Sequence, residues 1–165
     1  MQPLKATSGL PDLTFRLMLP GEEKAVCDLV KGVSDSDVAP FYGKRSRNSF
    51  REYADPDKLS ARVEADSFVV LALSCSRMLG MIEMRRHGHC SLLFVETEFQ
   101  GRGIAARLLE RAVTLCRTPG SPLREVTVNA SPNALGAYER MGFETIGPEQ
   151  VIRGVRSLPM KKVLA

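Results

Sequence analysis

No apolar run in the 165-residue sequence approaches the roughly 18 residues needed to span a bilayer; the longest are Phe68 to Leu73 and Leu92 to Val95. Residues Met1 to Leu13 mix Pro, Lys, Ser and Asp with scattered apolar side chains. They lack the continuous apolar stretch and small-residue cleavage site of an export signal. The four cysteines, Cys27, Cys75, Cys90 and Cys116, form no CxxC pair and have few histidines near them, so neither a zinc site nor a redox motif is expected. The expectation is reduced, mostly buried thiols in a cytoplasmic protein without a metal or a membrane contact. No Gly-Lys-Ser/Thr follows a glycine-rich turn, which excludes a Walker A loop. The densest basic cluster, Lys44, Arg45 and Arg47, lacks the aromatic interleaving that stacks bases and reads as a solvated loop, not a nucleic-acid surface.

What is present is enough for one core. With 44% of residues hydrophobic, the chain can bury a single α/β-sized domain over residues 1–165. A net charge of +4 favours an anionic ligand without naming it. Leu13 to Leu19 alternates as a first strand, Pro20-Gly21 breaks it, and a helix over about 22–33 places Ala25, Val26, Leu29, Val30 and Val33 on one face. Residues 34–48 read as an ordered loop able to touch substrate, with Asp35, Asp37, Phe41 and Tyr42 in it. Asp55-Pro56-Asp57 marks a helix start with a weak apolar stripe, Leu59 and Val63. Ser67 to Cys75, Met78 to Arg86 and His89 to Val95 then form an antiparallel meander, with turns at Ser76-Arg77 and His87-Gly88. Ile104, Leu108, Ala112 and Cys116 recur at helical spacing, and Val126 and Val128 mark a strand. Ser131-Pro132 is placed to cap a helix that Gly142 ends, and strands over 143–147 and 153–164 finish the chain.

The most informative stretch is strand, turn, Gln100-Gly101-Arg102-Gly103-Ile104-Ala105, helix. Glycines let the backbone approach a ligand closely, and the first amides of a helix lack internal partners and carry partial positive charge. That makes an anion cradle suited to a pyrophosphate. A dinucleotide fingerprint, Gly101-x-Gly103-x-x-Ala106, also fits loosely. It falls after an antiparallel meander, with too little chain left for repeated βαβ units.

Gln100, Gly103 and Ala105 match the Q/R-x-x-G-x-G/A signature of the GNAT acetyltransferases, and Asn129 to Phe143 resembles that family's strand, helix, Tyr and Gly-Phe segment. The matches together cover residues 89–143. Ala105 stands where many members have Gly, a departure that the pattern allows. The resemblance implies an α/β fold of the GNAT type: a mixed, largely antiparallel sheet, flanked by helices and splayed between its fourth and fifth strands, with acetyl-CoA in the gap. It further implies that backbone groups of Leu93, Phe94 and Val95 pair with pantetheine. The amides of Gly101, Arg102, Gly103, Ile104, Ala105 and Ala106 would hold the pyrophosphate, and Asn129 and Ser131 would touch the pantetheine arm. Tyr138 matches the tyrosine that protonates the departing thiolate.

The acceptor must attack as a neutral amine, so its proton needs a destination. His89 opens the cofactor strand, titrates in the right range, and by alternation would share a face with Ser91, Leu93 and Val95, whereas Cys90 would turn away. Glu83 and Glu125 are the reserve bases. The leading expectation is direct acetyl transfer from acetyl-CoA to a small-molecule or peptide amine. Two rivals are a non-catalytic acyl-CoA-binding or partner module of the same fold, and a nicotinamide-dependent oxidoreductase. Asp35, Asp37, Phe41, Tyr42 and Arg153 give no decisive pattern for the acceptor, and a homodimer stays open.

Overall fold

All eight residues of β2 (Ser67–Ser74) are buried, which a strand achieves only when both faces of its sheet are covered. The structure, a computed structural model, describes residues 10–38, 43–152 and 154–165. Around β2 lie β1 (Thr14–Leu17), β3 (Arg77–Arg85), β4 (His89–Val95), β5 (Glu125–Ala130), β6 (Glu144–Thr145), β7 (Gln150–Ile152) and β8 (Val155–Val163). Their order is β1-β2-β3-β4-β5-β8-β6, with β7 paired to β8. Among the described residues, β4 and β5 form the parallel pair in an otherwise antiparallel sheet. The fold is the mixed, largely antiparallel α/β architecture expected from the sequence.

Alternation along the strands divides the core in two. On one face, α1 (Glu23–Val33) packs Val26, Leu29, Val30 and Val33, and α3 (Pro56–Ala65) packs Leu59, against Val69, Leu71, Met81 and Leu92. On the other, α4 (Ile104–Cys116) seats Ile104, Leu108, Leu109 and Ala112 against Phe68, Val70, Ile82 and Met84. The weak stripe at Leu59 is therefore a true helix. Asp55 caps it by accepting the Lys58 amide at 3.1 Å, and Pro56 occupies its first position. Cys27, Cys90 and Cys116 are buried and Cys75 is exposed, all four with free thiols. Among the described residues, no helix is long and apolar enough to cross a membrane.

Several boundaries differ from the sequence reading. Residues 34–48 are not one loop: Ser34–Val38 continues α1 as a wider turn, and α2 (Lys44–Tyr53) begins inside the basic cluster. Its only buried residue is Ser46, so it has no apolar stripe to read. Phe50 anchors it instead, its ring centroid 5.7 Å from that of Phe94 in β4. The first hairpin turns at Cys75-Ser76, both in the left-handed region (φ 48° and 68°), so Arg77 already belongs to β3. Ser131 makes no capping hydrogen bond; a 3₁₀ turn at Pro132–Ala134 intervenes before the short α5 (Leu135–Arg140). Phe41, Tyr42 and Arg153 lie outside the described residues.

Beneath α3, Glu83 of β3 is fully buried and meets the Arg62 guanidinium through Nε–Oε1 at 2.6 Å and Nη2–Oε2 at 3.1 Å. Arg62 Nη1 donates to the Tyr53 carbonyl at 2.9 Å, and the guanidinium lies 3.8 Å from the centre of the Tyr53 ring. This pair ties α2, α3 and β3 together, and it removes Glu83 from the reserve bases because the carboxylate is already spoken for. Removing one partner leaves a buried charge uncompensated, which costs about 3–5 kcal/mol. Arg62→Ala should lower the free energy of unfolding by that amount in urea titration, and replacing both Arg62 and Glu83 by Leu should recover most of it.

Candidate active site

The site begins with a strand that has one residue too many. Along β3 and β4, Met84 faces Cys90 and Glu83 faces Leu92, so Ser91 is left unpaired as a β-bulge. Its neighbours on the other side, β4 and β5, pair at only His89–Thr127 and Cys90–Val128. Parallel pairing therefore stops where the bulge bends β4. Beyond it the two strands part, and the β5-facing edge of Ser91 to Val95 loses its ladder partner. The Cys90 thiol donates across the bulge to the Leu92 carbonyl at 3.7 Å.

The bulge also corrects the alternation expected for β4. Cys90, Leu93 and Val95 pack on the α4 side, and Leu92 and Phe94 on the α1 side. His89, opposite Arg85 and beside Tyr53, shares the α1 side, so it is not on the face of Leu93 and Val95. Cys90 does point away from it, as expected. His89 Nδ1 lies 2.8 Å from Thr127 Oγ1. Burial, followed by the nearby Arg85 and His87, holds the imidazole below its ordinary pKa. A cleft of about 320 Å³ opens here, lined by Tyr53, Arg85, His87, His89, Cys90, Ser91 and Asn129.

On the opposite face, Tyr138 of α5 is buried, and its ring meets Phe143 edge-on at 5.4 Å between centroids. Its phenol faces the Cys90 sulfur; burial and this neighbour push the tyrosine pKa well above its usual value. Burial likewise pushes the Cys90 thiol up to about 12, so it is protonated at neutral pH and no nucleophile. Tyr138 and His89 thus approach adjacent residues of one strand from opposite faces of the sheet.

At the open end of β4, Gly101 and Gly103 both adopt left-handed backbone (φ 76° and 78°), and a Cβ built on either would meet nothing within 4 Å. The glycines are required by the turn, and the space beside them is open to a ligand. No side chain caps α4, so its first amides keep their donors. Gln100 turns inward instead of out: its Nε2 donates to the Val95 carbonyl at 2.9 Å and to Asp37 Oδ2 at 2.8 Å. Thr97 Oγ1 donates to Asp37 at 3.2 Å, and Asn133 Nδ2 to the Asp37 carbonyl at 3.3 Å. Asp37 therefore ties the segment after β4 to the segment after β5. Asp35 is held by Arg51 at 2.6 Å.

Of the expected site residues, the structure brings His89 and Asn129 to the cleft and Tyr138 to the far side of Cys90. It sets Leu93 to Val95 along the unpaired edge and 101–106 at the helix start. Glu125 is exposed, 3.9 Å from Lys161. Tyr53, Arg85 and His87 were missed. Phe50 and Tyr53 alone are too short a pattern to mark α2, and the polar end of β3 carries no mark of its partner in the sequence.

Residues 33–164 match the family described as acetyltransferase (GNAT) domain. The sequence is 24% identical over 140 residues to the uncharacterised N-acetyltransferase YafP of Escherichia coli (strain K12), covering 85% of this chain and 87% of that protein. A GCN5-related N-acetyltransferase structure from Rhodopseudomonas palustris superposes with a TM-score of 0.79 at 19% identity, covering 94% of this chain and 98% of the other. The spermidine N-acetyltransferase of Vibrio cholerae, solved with CoA and spermine, gives 0.61 at 18% identity, covering 92% and 95%.

The depressed pKa of His89 has a measurable consequence. An imidazole that resists protonation when folded binds fewer protons than the unfolded chain as pH falls below about 6.5. Its contribution is thus present above the unfolded pKa and lost as pH falls through the folded one. Histidine NMR titration should place His89 below about 6.5, and His89→Gln should flatten the acid-side decline in stability over that window.

Proposed function

We propose that this chain, which belongs to the GNAT acetyltransferase family, transfers an acetyl group from acetyl-CoA to a primary amine by direct attack. The observation that carries the reading is the opening between β4 and β5 at the Ser91 bulge, with an acid, a base and an anion cradle arranged around it. Acetyl-CoA supplies an activated thioester. The residues here fit it: the loop from Gly101 leaves free space and uncapped amides for a pyrophosphate. The unpaired edge of Leu93 to Val95 offers backbone groups to an amide-bearing arm, as a sheet edge takes an added strand. Asn129 lines the cleft where that arm would end. Gln100 acts at one remove, fixing the loop through Val95.

The two faces then divide the proton traffic. His89, on the cleft side and held neutral by burial, takes the proton of the attacking amine, while Thr127 fixes its ring through Nδ1. Tyr138, kept protonated, donates to the sulfur as it leaves. An acyl-enzyme on Cys90 is not needed, and its high pKa opposes one. No observation favours nicotinamide chemistry or a module without turnover.

Two substitutions test this reading. Gly103→Val places a branched side chain in the open space and strains a left-handed position, so calorimetry should find acetyl-CoA binding lost while the fold persists by circular dichroism. Wild-type affinity in that variant would remove the cradle assignment. Tyr138→Phe keeps the packing on Phe143 but deletes the acid; kcat should fall about 10²- to 10⁴-fold with acetyl-CoA affinity little changed. An unchanged kcat with a chemistry-limited amine would return Tyr138 to a packing role.

A further inference from the structure

Among the described residues, the cleft beside His89 contains no carboxylate. Its lining supplies one permanent cation, Arg85, with the imidazoles of His87 and His89, and otherwise Tyr53, Ser91, Asn129 and the neutral Cys90. The nearest buried acid, Glu83, is fully engaged by Arg62. Outside the lining, Asp66 lies 3.9 Å from Arg85 and Glu125 lies 3.9 Å from Lys161; Glu144 stands opposite Lys161 in the ladder. The Arg85–Asp66 contact is long and exposed, a pair worth little that a better anion displaces. Asp35 and Asp37, the acidic pair that would suit a polyamine, are held by Arg51 and by Thr97 and Gln100.

We propose that the acceptor is a compact amine carrying a carboxylate, with Arg85 holding the carboxylate while the amine lies against His89. This rests on the acyltransferase reading above. The register carries it: Arg85 and His89 are direct partners across β3 and β4, so their Cα atoms are about 5 Å apart and their side chains leave the same face. A guanidinium binds a carboxylate in a planar, two-pronged fashion, which fixes the amine end within a few bonds of the imidazole. A cleft of about 320 Å³ admits an amino acid or the end of a peptide.

The test pairs amines that differ by a carboxylate, β-alanine against ethylamine and glycine against methylamine, with spermidine as a third class, reading free thiol released from acetyl-CoA. The carboxylated member should have the higher kcat/KM by about 10- to 100-fold, the span of a charge-assisted hydrogen bond. Arg85→Gln should collapse that ratio toward one, chiefly through KM, and Arg85→Lys should restore part of it. A parent ratio near one, a preference for spermidine, or a ratio that survives Arg85→Gln overturns the proposal and leaves the acyltransferase reading standing. The parent ratio still decides if Arg85→Gln does not fold. Acetyl-CoA binding without turnover of any amine overturns both.

Discussion

The ladder between β4 and β5 holds two pairs, His89–Thr127 and Cys90–Val128, and there the two halves of the sheet meet. Adding Ser91 to β4 without a matching residue in β3 bends the strand as that pairing ends. An ordinary sheet would continue the ladder and satisfy the edge groups of β4 with β5. Here the edge of β4 beyond Cys90 is left without a ladder partner in β5, and that part of the strand is held on one side only. The opposite edge compensates: β4 keeps an unbroken ladder to β3 from Leu92 to Val95, and β3 sits in a sheet covered on both faces. The opening is therefore backed by a strand that is paired along its other edge, a wall rigid enough for the positioning that the proposed reaction would need.

The bulge also decides which way the side chains beyond it face. His89 and Cys90 face opposite ways because neighbours along a strand alternate, and the extra residue at Ser91 switches the faces of the residues beyond it. An imidazole on the α1 side and a phenol on the α4 side thereby approach neighbouring residues of β4 without touching one another. Were they on one face, a neutral imidazole and a phenol would hydrogen-bond to each other. Burial disfavours imidazolium on one side of the sheet and phenolate on the other, the protonation states that the proposed direct transfer requires being the neutral ones.

Much of this was legible in the sequence, and the failures share a cause. The meander, α4 and the glycine turn were readable because apolar period and left-handed glycines are local signals. The strand that carries the site was placed, but its register was not: Ser91 resembles any strand residue, and only pairing with Glu83 and Met84 makes it the extra one. α2 was missed because its contribution to the core is Phe50 against Phe94, a contact between distant segments that leaves no stripe. Glu83 looked like a spare base because its partner Arg62 lies 21 residues away in a helix whose own pattern was weak. Ser131 looked like a cap, yet the chain spends one 3₁₀ turn before α5 begins.

The distribution of acids explains how a chain with a net charge of only +4 presents a cationic cleft. Arg16, with help from the Leu19 amide, holds Glu22 down at about 2 and so fixes the start of α1. Glu83 anchors α3 through Arg62, Asp35 accepts from Arg51, and Asp37 bridges the segments that follow β4 and β5. Each of these carboxylates is fixed where it holds backbone elements together, and none lines the cleft. Arg85 stands apart from that pattern, its Asp66 contact being long and half exposed. Charges bound in structural pairs contribute little field at a distance, whereas a guanidinium with a loose partner keeps most of its pull. The acids hold together the elements around the opening, and the permanent charge left in its lining is the Arg85 guanidinium.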